Sequence, residues 1–272
     1  MIEVEAAGVG GWDDIVRSGL WSVGLTPPMA LGVEVAGTVA AVGSKVAGLR
    51  PGDEVLGHPF PLRHQGCWAQ RVVVDADLVV SKPRGVAWET AAAVPVPALT
   101  AEQVVSESLE VAENETLLVH GAGGTTAGLV VQLAAMRGAR VIATAGPLSA
   151  ARVRQAGAVE AVDYHGTSWP DRVRELAGGV GVDTAPNAVP GASAETILAV
   201  REGGRMATIT GDPQPAGRGQ RRRRPRAPGL HPARDAVCTA ERGQADPAAR
   251  RPSGMATLLR GPPVTSDGAS GT

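Results

Sequence analysis

Three small residues, Gly121, Gly124 and Ala127, lie between an apolar run that predicts a strand and one that predicts a helix. The stretch reads LLVHGAGGTTAGLVVQLA, and its spacing is G-x-x-G-x-x-A instead of G-x-G-x-x-G. Gly121 lets the chain leave the strand sharply, Gly124 removes a Cβ where an anion would approach, and Ala127 lets the helix pack closely. A helix that begins near Thr125 would offer unpaired N–H groups to the anion, and the Thr125 and Thr126 hydroxyls would add donors. The turn is therefore predicted to bind a diphosphate, although glycine-rich turns also occur without ligands.

The residues after the second predicted strand, RVIATA, indicate which dinucleotide would bind. NAD-binding proteins usually carry Asp or Glu at this point, where the side chain accepts a hydrogen bond from the ribose 2′-hydroxyl. Here Ala145 and Gly146 stand instead, followed by Ser149 and Arg152. Because nothing there repels a 2′-phosphate and guanidinium groups bind phosphates well, NADP(H) is favoured over NAD. The alternative for Arg152 and Arg154 is an ordinary exposed helix face.

The elements around these residues predict an α/β domain over residues 98–212. An amphipathic helix is expected over residues 100–112, with Val104, Val105, Leu109 and Val111 packing inward. Beyond it, strands and helices alternate, which is typical of a parallel sheet covered on both faces. The five predicted strands are LLVHG, RVIATA, EAVDY, GVDTAPNAV and GRMATIT.

The two flanking regions differ from this domain. Residues 1–97 contain β-branched runs separated by Gly, Pro and Asp, which predict a compact β domain of strands and turns. Residues 213–272 are rich in Arg, Pro, Ala and Gly, and are predicted to be a disordered basic tail with at most a short helix near 245–250. The run Arg221–Arg224 is open to three interpretations: a nucleic-acid-binding arm, a solvated charge run, or a frameshifted or misjoined coding end.

Composition excludes several classes of protein. The 272 residues carry a formal net charge of −1, which gives no overall bias toward nucleic acid, so a nucleic-acid partner is not expected. No apolar run reaches the roughly 18–20 residues of a membrane span, and the N-terminus does not resemble a signal peptide, so a cytoplasmic protein is expected. Cys67 and Cys238 are too few for a disulfide framework or a four-ligand zinc site.

Several motifs in order resemble the medium-chain dehydrogenase/reductase superfamily. They are GVEVAGTVAAVGSKVAGLRPGDEVLG, QGCWAQRVVV, AAAVPVPALTA, VHGAGGTTAGLVVQLAAMRGARVIATA and QAGAVEAVDY. Within the superfamily, residues 3–212 are similar to the zinc-independent quinone oxidoreductase and enoyl-reductase-like branch. The resemblance implies a GroES-like β domain over 1–97, incomplete at its start, and a Rossmann domain over 98–212 with NADPH between the two.

The resemblance also implies an activity and a set of site residues. The activity is hydride transfer from NADPH to a small-molecule acceptor, a quinone or an α,β-unsaturated carbonyl, in a chain that could pair as a homodimer. Residues 121–127 would hold the diphosphate. Near the adenosine ribose and its phosphate would lie Ala145, Gly146, Ser149 and Tyr164, and near the nicotinamide Thr100, Thr210 and Gly211. Tyr164 could equally be a surface residue at the end of a strand. No side chain is identified as a catalytic acid, so the proton is expected to come from water.

The resemblance also predicts a site without zinc. Zinc-dependent relatives carry G-H-E where this chain has Gly32, Val33 and Glu34, so the metal-binding His is absent. His58 and His64 lie six residues apart with no third partner in the sequence. Cys67 stands alone and is predicted to be a packed thiol.

The alternative is a dinucleotide-binding protein with little or no turnover, because the resemblance implies a truncated catalytic domain. Some departures from the family pattern also favour it. Gly10 stands where the family often has Asn. Asp13 and Arg17 fit the family, but an i,i+4 ion pair would explain them equally well. Pro186 falls in the fourth strand of the Rossmann domain, where its missing N–H is expected to break a central ladder, and Asn187 replaces a common Asp.

Overall fold

The structure is a computed structural model that describes residues 1–20, 24, 26–60, 62, 65–166, 168–210 and 212. His64, Gly211, the Arg221–Arg224 run and the whole predicted tail lie outside the described residues. The chain forms two compact units, one from Met1 to Val96 and one that begins at Pro97. Within the described part, no helix is long and apolar enough to cross a membrane.

The first unit is built on a five-stranded antiparallel sheet with the order β4-β1-β2-β3-β5. Its strands are β1 (Ile2–Ala7), β2 (Val35–Val39), β3 (Glu54–Gly57), β4 (Arg71–Val72) and β5 (Val79–Ser81). Val35 and Val55 are fully buried in its core, together with Ile2 and Val72. The β-branched runs of the sequence therefore form the sheet that they predict.

Two helices in this unit correct the prediction of strands and turns alone. They are α1 (Gly11–Arg17) and α2 (Trp88–Ala93). The sequence of α2, WETAAA, is rich in good helix formers, and its Ala91 and Ala92 are buried where the helix packs on β1 and β2.

Helix α1 also shows that the ion pair offered as one explanation of Asp13 and Arg17 is wrong. Arg17 binds Asp14, with 2.6 Å between Nη2 and Oδ1. Asp13 is buried at the third position of the helix, where its carboxylate accepts a hydrogen bond from the Gly10 N–H at 2.8 Å. The carboxylate therefore caps the start of the helix instead of reaching along its face.

The second unit contains a five-stranded parallel sheet with the order β10-β9-β6-β7-β8. The strands are β6 (Thr116–Val119), β7 (Arg140–Thr144), β8 (Glu160–Val162), β9 (Val182–Asn187) and β10 (Val200–Thr208). The helices are α3 (Pro95–Gln103), which begins in the last two residues of the first unit, and α4 (Thr125–Met136), α5 (Pro147–Gln155), α6 (Trp169–Leu176) and α7 (Ser193–Thr196). All five strands were predicted, and the order reverses beside β6, as in a Rossmann fold.

The apolar character of these strands follows from burial on both faces of the sheet. Leu117, Leu118 and Ile142 have no exposed surface, and α4 covers one face through Val130 and Val131.

The predicted helix over residues 100–112 is cut short. Helix α3 ends at Gln103 and a π-helical turn, Val104–Ser108, follows it. The four predicted packing residues are nevertheless buried: Val104, Val105, Leu109 and Val111.

Pro186 disturbs the central ladder less than expected. On one side of Pro186, Thr184 pairs with Leu117, and on the other side Asn187 pairs with His120. Pro186 itself offers no N–H, but its carbonyl accepts the His120 N–H at 3.1 Å. It also holds register with Ala207 of β10, so β9 continues through the proline.

Candidate functional site

The turn after β6 has the geometry that its glycines predict. Gly121 has a φ of +82°, and a Cβ at this position would lie 2.7 Å from Cγ2 of Val189. Any other residue would be strained and would clash, so glycine is required. Helix α4 begins at Thr125, as expected, and Ala127 is buried against the sheet.

The available donors of this turn include the amides in the first turn of α4. Three other amides are already bonded: Gly121 N–H to Thr144 Oγ1 at 2.9 Å, Ala122 N–H to Thr144 O and Gly124 N–H to Gly121 O, both at 3.0 Å. The first bond within the helix runs from Gly128 N–H to Gly124 O, so the amides of residues 125–127 precede it. An anion at this end would therefore be held by those three amides, not by Gly121.

Space for an anion is present in front of α4. The cap residue, Gly124, is exposed and has no side chain to occupy the helix end. A Cβ added there would meet only Gly121 O, at 3.5 Å. Thr125 is exposed and Thr126 half-buried. The residues present therefore fit a diphosphate group.

A third glycine, which is not part of the G-x-x-G-x-x-A spacing, joins this turn to α5. A Cβ on Gly123 would lie 3.0 Å from Ser149 Oγ. The Arg152 guanidinium donates a hydrogen bond to Gly123 O at 2.8 Å. Ser149 and Arg152 are thus brought to the glycine turn, and Arg152 is more than an ordinary exposed residue. Arg154 instead reaches Ala161 O at 3.5 Å.

Tyr164 lies beside the start of α5. Gly146 is the cap residue of that helix, and a Cβ on it would lie 3.7 Å from the Tyr164 hydroxyl and 3.5 Å from Cε1 of His165. The rings of Tyr164 and His165 stack with 4.3 Å between centroids. Ala145, next to Gly146, is buried and donates its N–H to Val162 O. The structure therefore groups the residues predicted near the adenosine ribose and adds His165. In the sequence, only its position next to Tyr164 could have indicated it.

His120 is a positioning residue that sequence reasoning missed. Its Nδ1 lies 2.7 Å from Thr144 Oγ1, the oxygen that accepts the Gly121 N–H. Its ring is buried and stacks on Trp169 at 4.4 Å between centroids. Burial lowers the pKa of His120 to about 4, against a smaller opposing effect of Glu195. The neutral imidazole thus fixes Thr144 and, through it, the start of the turn.

The residues predicted near the nicotinamide are less closely grouped. Thr100 is half-buried on α3 and takes no part in the hydrogen bonds described above. Thr210 follows β10, and its Oγ1 lies 3.0 Å from Thr208 Oγ1. Close by in sequence, Asp212 accepts hydrogen bonds from Gly191 N–H at 3.0 Å and from Asn187 Nδ2 at 3.3 Å.

The first unit contains a buried acidic pair. Glu34 and Asp13 are both buried, and burial raises the pKa of Glu34 to about 7 and also raises that of Asp13. Cys67 is fully buried, and its thiol has a pKa of about 12, through burial and then the two carboxylates. Cys67 is therefore a packed thiol, as predicted, and not a reactive one.

The described part of the chain shows no group of three or more His, Cys, Asp or Glu side chains that could hold a metal ion. His58 Nδ1 lies 2.6 Å from the Val33 carbonyl oxygen. The zinc-free site stays a prediction.

Two family models match the chain. The alcohol dehydrogenase GroES-like domain matches residues 1–84, and the zinc-binding dehydrogenase model matches residues 127–220. Both names are those of families, and the second name is not evidence that this chain binds zinc.

Individual relatives agree with the family models. A quinone oxidoreductase of Pseudomonas aeruginosa is 36% identical over 64% of this chain and 53% of its own length. A crystal structure of an NAD-dependent alcohol dehydrogenase is 34% identical with a TM-score of 0.72, covering 76% of this chain and 68% of that one. A mycobacterial protein solved with NADPH is 30% identical with a TM-score of 0.68, covering 79% and 67%.

The chain spans about half the length of the quinone oxidoreductase that it matches. Its first unit is a GroES-like domain and its second is a Rossmann-like parallel sheet, the two domains of that family in the same order. The chain belongs to the medium-chain dehydrogenase/reductase superfamily, in its quinone oxidoreductase branch.

Proposed function

We propose that this chain is an oxidoreductase that transfers hydride from NADPH to a quinone or an α,β-unsaturated carbonyl. The observation that carries the proposal is the first turn of α4, whose three amides precede the first bond of the helix, beside the open space at Gly124. A helix end of this kind, after the first strand of a parallel sheet, suits a dinucleotide diphosphate. Quinone oxidoreductases among the relatives and the NADPH-bound structural neighbour support it.

The chain's own residues would bind and orient the cofactor. The amides of Thr125, Thr126 and Ala127 would hold the diphosphate, while Thr144 and His120 keep the preceding backbone in place. When bound, the reduced nicotinamide supplies the hydride. Thr100 and Thr210 are proposed to approach its ring, and the proton is proposed to come from water.

The choice of NADPH over NADH depends on the region around Gly146. No carboxylate stands at Ala145 or Gly146, and Ser149 and Arg152 lie close to the turn. A guanidinium close to the glycine turn favours a phosphate. Assembly as a homodimer and a cytoplasmic location stay predictions of the sequence.

The proposal is tested by binding and turnover on the full chain. Titration with NADPH should quench tryptophan fluorescence and raise the melting temperature. NADPH oxidation should then occur with at least one member of a panel of small quinones and enones. Failure of both nucleotides to bind would overturn the proposal.

Binding without turnover is the second candidate, and the surroundings of Gly10 favour it. A Cβ at Gly10 would lie 2.2 Å from the Trp12 indole, so the Asn that is common in the family does not fit here. The first unit therefore lacks that polar side chain. Nucleotide binding with no NADPH oxidation across the panel would select this candidate.

A further inference from the structure

Two rings after β8 lie where a Rossmann domain distinguishes the ribose 2′-substituent. That position follows the second strand of the fold, here β7, and begins at Gly146. Tyr164 and His165 lie against the backbone of Gly146, within 3.7 Å and 3.5 Å of its Cβ position. A substituent on the ribose would therefore meet both side chains, and not only the tyrosine.

His165 is paired with an acid. Asp163 Oδ1 lies 2.5 Å from Nδ1 of His165 and accepts the His165 backbone N–H at 3.0 Å. These hydrogen bonds hold the pKa of Asp163 below its usual range, so the carboxylate stays ionised. Both side chains are more than half exposed, at 54% and 62%. With a neutral imidazole the pair carries a negative charge, and with an imidazolium it carries none.

The helices packed on β8 also carry charged groups, and several of their arginines are bonded to other partners. On α5, Arg152 binds Gly123 O and Arg154 reaches Ala161 O. On α6, Arg172 binds Glu175 at 2.9 Å. Glu160 of β8 lines the same cavity of about 340 Å³ as Asp163 and Arg172. Histidine is the type of side chain whose charge changes between about pH 5 and 8.

We propose that the Asp163–His165 pair makes the preference of this chain for a 2′-phosphorylated dinucleotide depend on pH, with the preference strongest when the imidazole is protonated. The inference rests on the proposed function, since it concerns the same dinucleotide site. An imidazolium cancels the charge of Asp163 and so removes its repulsion of the phosphate, whereas a neutral imidazole leaves the carboxylate to repel it.

The test measures the Kd of NADPH and of NADH by calorimetry at about pH 6 and about pH 8, at constant ionic strength. The full chain is compared with His165→Gln, Asp163→Asn and the control Asp171→Asn, an exposed acid on α6. Between the two pH values, the wild-type preference for NADPH should fall about 2- to 5-fold more than that of His165→Gln, as expected for an exposed charge pair. The phosphate itself titrates near about pH 6, but this effect is common to both proteins.

Asp163→Asn should strengthen the preference for NADPH at the higher pH, and Asp171→Asn should behave as wild type. Equal pH dependence in wild type and His165→Gln would overturn the inference while leaving the proposed function intact. No binding of either nucleotide to the wild type would instead be a failure of the proposed function.

Discussion

The carboxylate of Glu34 accepts a hydrogen bond from the backbone N–H of Val96, with 2.9 Å between Oε1 and N. Val96 is the last residue of the first compact unit before the chain continues at Pro97. The other carboxylate oxygen, Oε2, lies only 2.6 Å from the Cβ position of Gly8. This acid is thus enclosed, and it fixes β2 to the end of its own unit.

The stability of the first unit should therefore depend on pH through Glu34. Burial raises its pKa from 4.5 to about 7, so the folded chain binds the proton more tightly than the unfolded chain does. This contribution is fully present below about pH 4.5 and is lost as the pH rises through about 7. Denaturant unfolding should show a loss of about 2 kcal/mol between about pH 5 and pH 8 from this group.

Glu34→Gln should remove that pH dependence while keeping an oxygen for the Val96 N–H. Glu5→Gln, on the exposed side of β1, is the matched control and should keep the wild-type slope. An unchanged slope in Glu34→Gln would show that the buried acid does not titrate in this range.

The contact of His120 with Thr144 should stabilise the second unit. His120→Phe keeps a ring to stack on Trp169 but removes one of the two partners of Thr144 Oγ1, leaving only the Gly121 N–H. We expect a loss of about 1–2 kcal/mol in the free energy of unfolding. Because the pKa of His120 is lowered to about 4, wild-type stability from this group is lost as the pH falls from about 6.5 toward 4. The variant should lack that loss.

Two substitutions at Thr144 test whether its hydroxyl positions the glycine turn for nucleotide binding. Thr144→Ser keeps the hydroxyl and should retain nucleotide binding, whereas Thr144→Val removes the acceptor of the Gly121 N–H and should weaken it. If Thr144→Val bound NADPH as wild type does, the hydroxyl would have no positioning role.

Thr184 is a buried polar residue that should be replaceable with a gain in stability. Its side chain has no exposed surface, and Oγ1 has no hydrogen-bond partner within the described structure. Thr184→Val should raise the free energy of unfolding by about 1 kcal/mol, because an unpaired buried hydroxyl is removed. Thermal unfolding measures the change.

Thr196 is the matched control. It is equally buried, but its hydroxyl donates to Ala192 O at 2.9 Å. Thr196→Val should therefore lower stability. A loss of stability in Thr184→Val would show that its hydroxyl has a partner.

The second unit was predictable because its signals are local. Strand and helix periods alternate, and the glycine turn requires a positive φ at Gly121 whatever the distant packing. The first unit was harder, since α2 is six residues long and is stabilised by burial of Ala91 and Ala92 against strands far away in sequence. A short Ala-rich run in the sequence does not indicate that packing.

The candidate site was predictable only in part, for a similar reason. The motif identifies the backbone that could face an anion, but the pairing of His120 with Thr144 and of His165 with Gly146 depends on neighbouring strands of the sheet. Asp13 illustrates the same limit within one helix. Its i,i+4 spacing suits an ion pair with Arg17, yet its carboxylate accepts the Gly10 N–H at the start of the helix instead.

Gly121 and Gly124 should respond differently to the same substitution. Gly121→Ala places a Cβ 2.7 Å from Val189 Cγ2 at a φ of +82°, so we expect it to destabilise the chain by about 1–3 kcal/mol. Gly124→Ala meets only Gly121 O at 3.5 Å, and its φ of −80° suits any residue. Its free energy of unfolding should be lower than that of wild type by no more than about 1 kcal/mol, because alanine is a poorer cap than glycine. Its methyl group would nevertheless enter the space in front of α4, so NADPH should bind about 10-fold or more weakly in calorimetry. Wild-type affinity in a folded Gly124→Ala protein would place the diphosphate elsewhere.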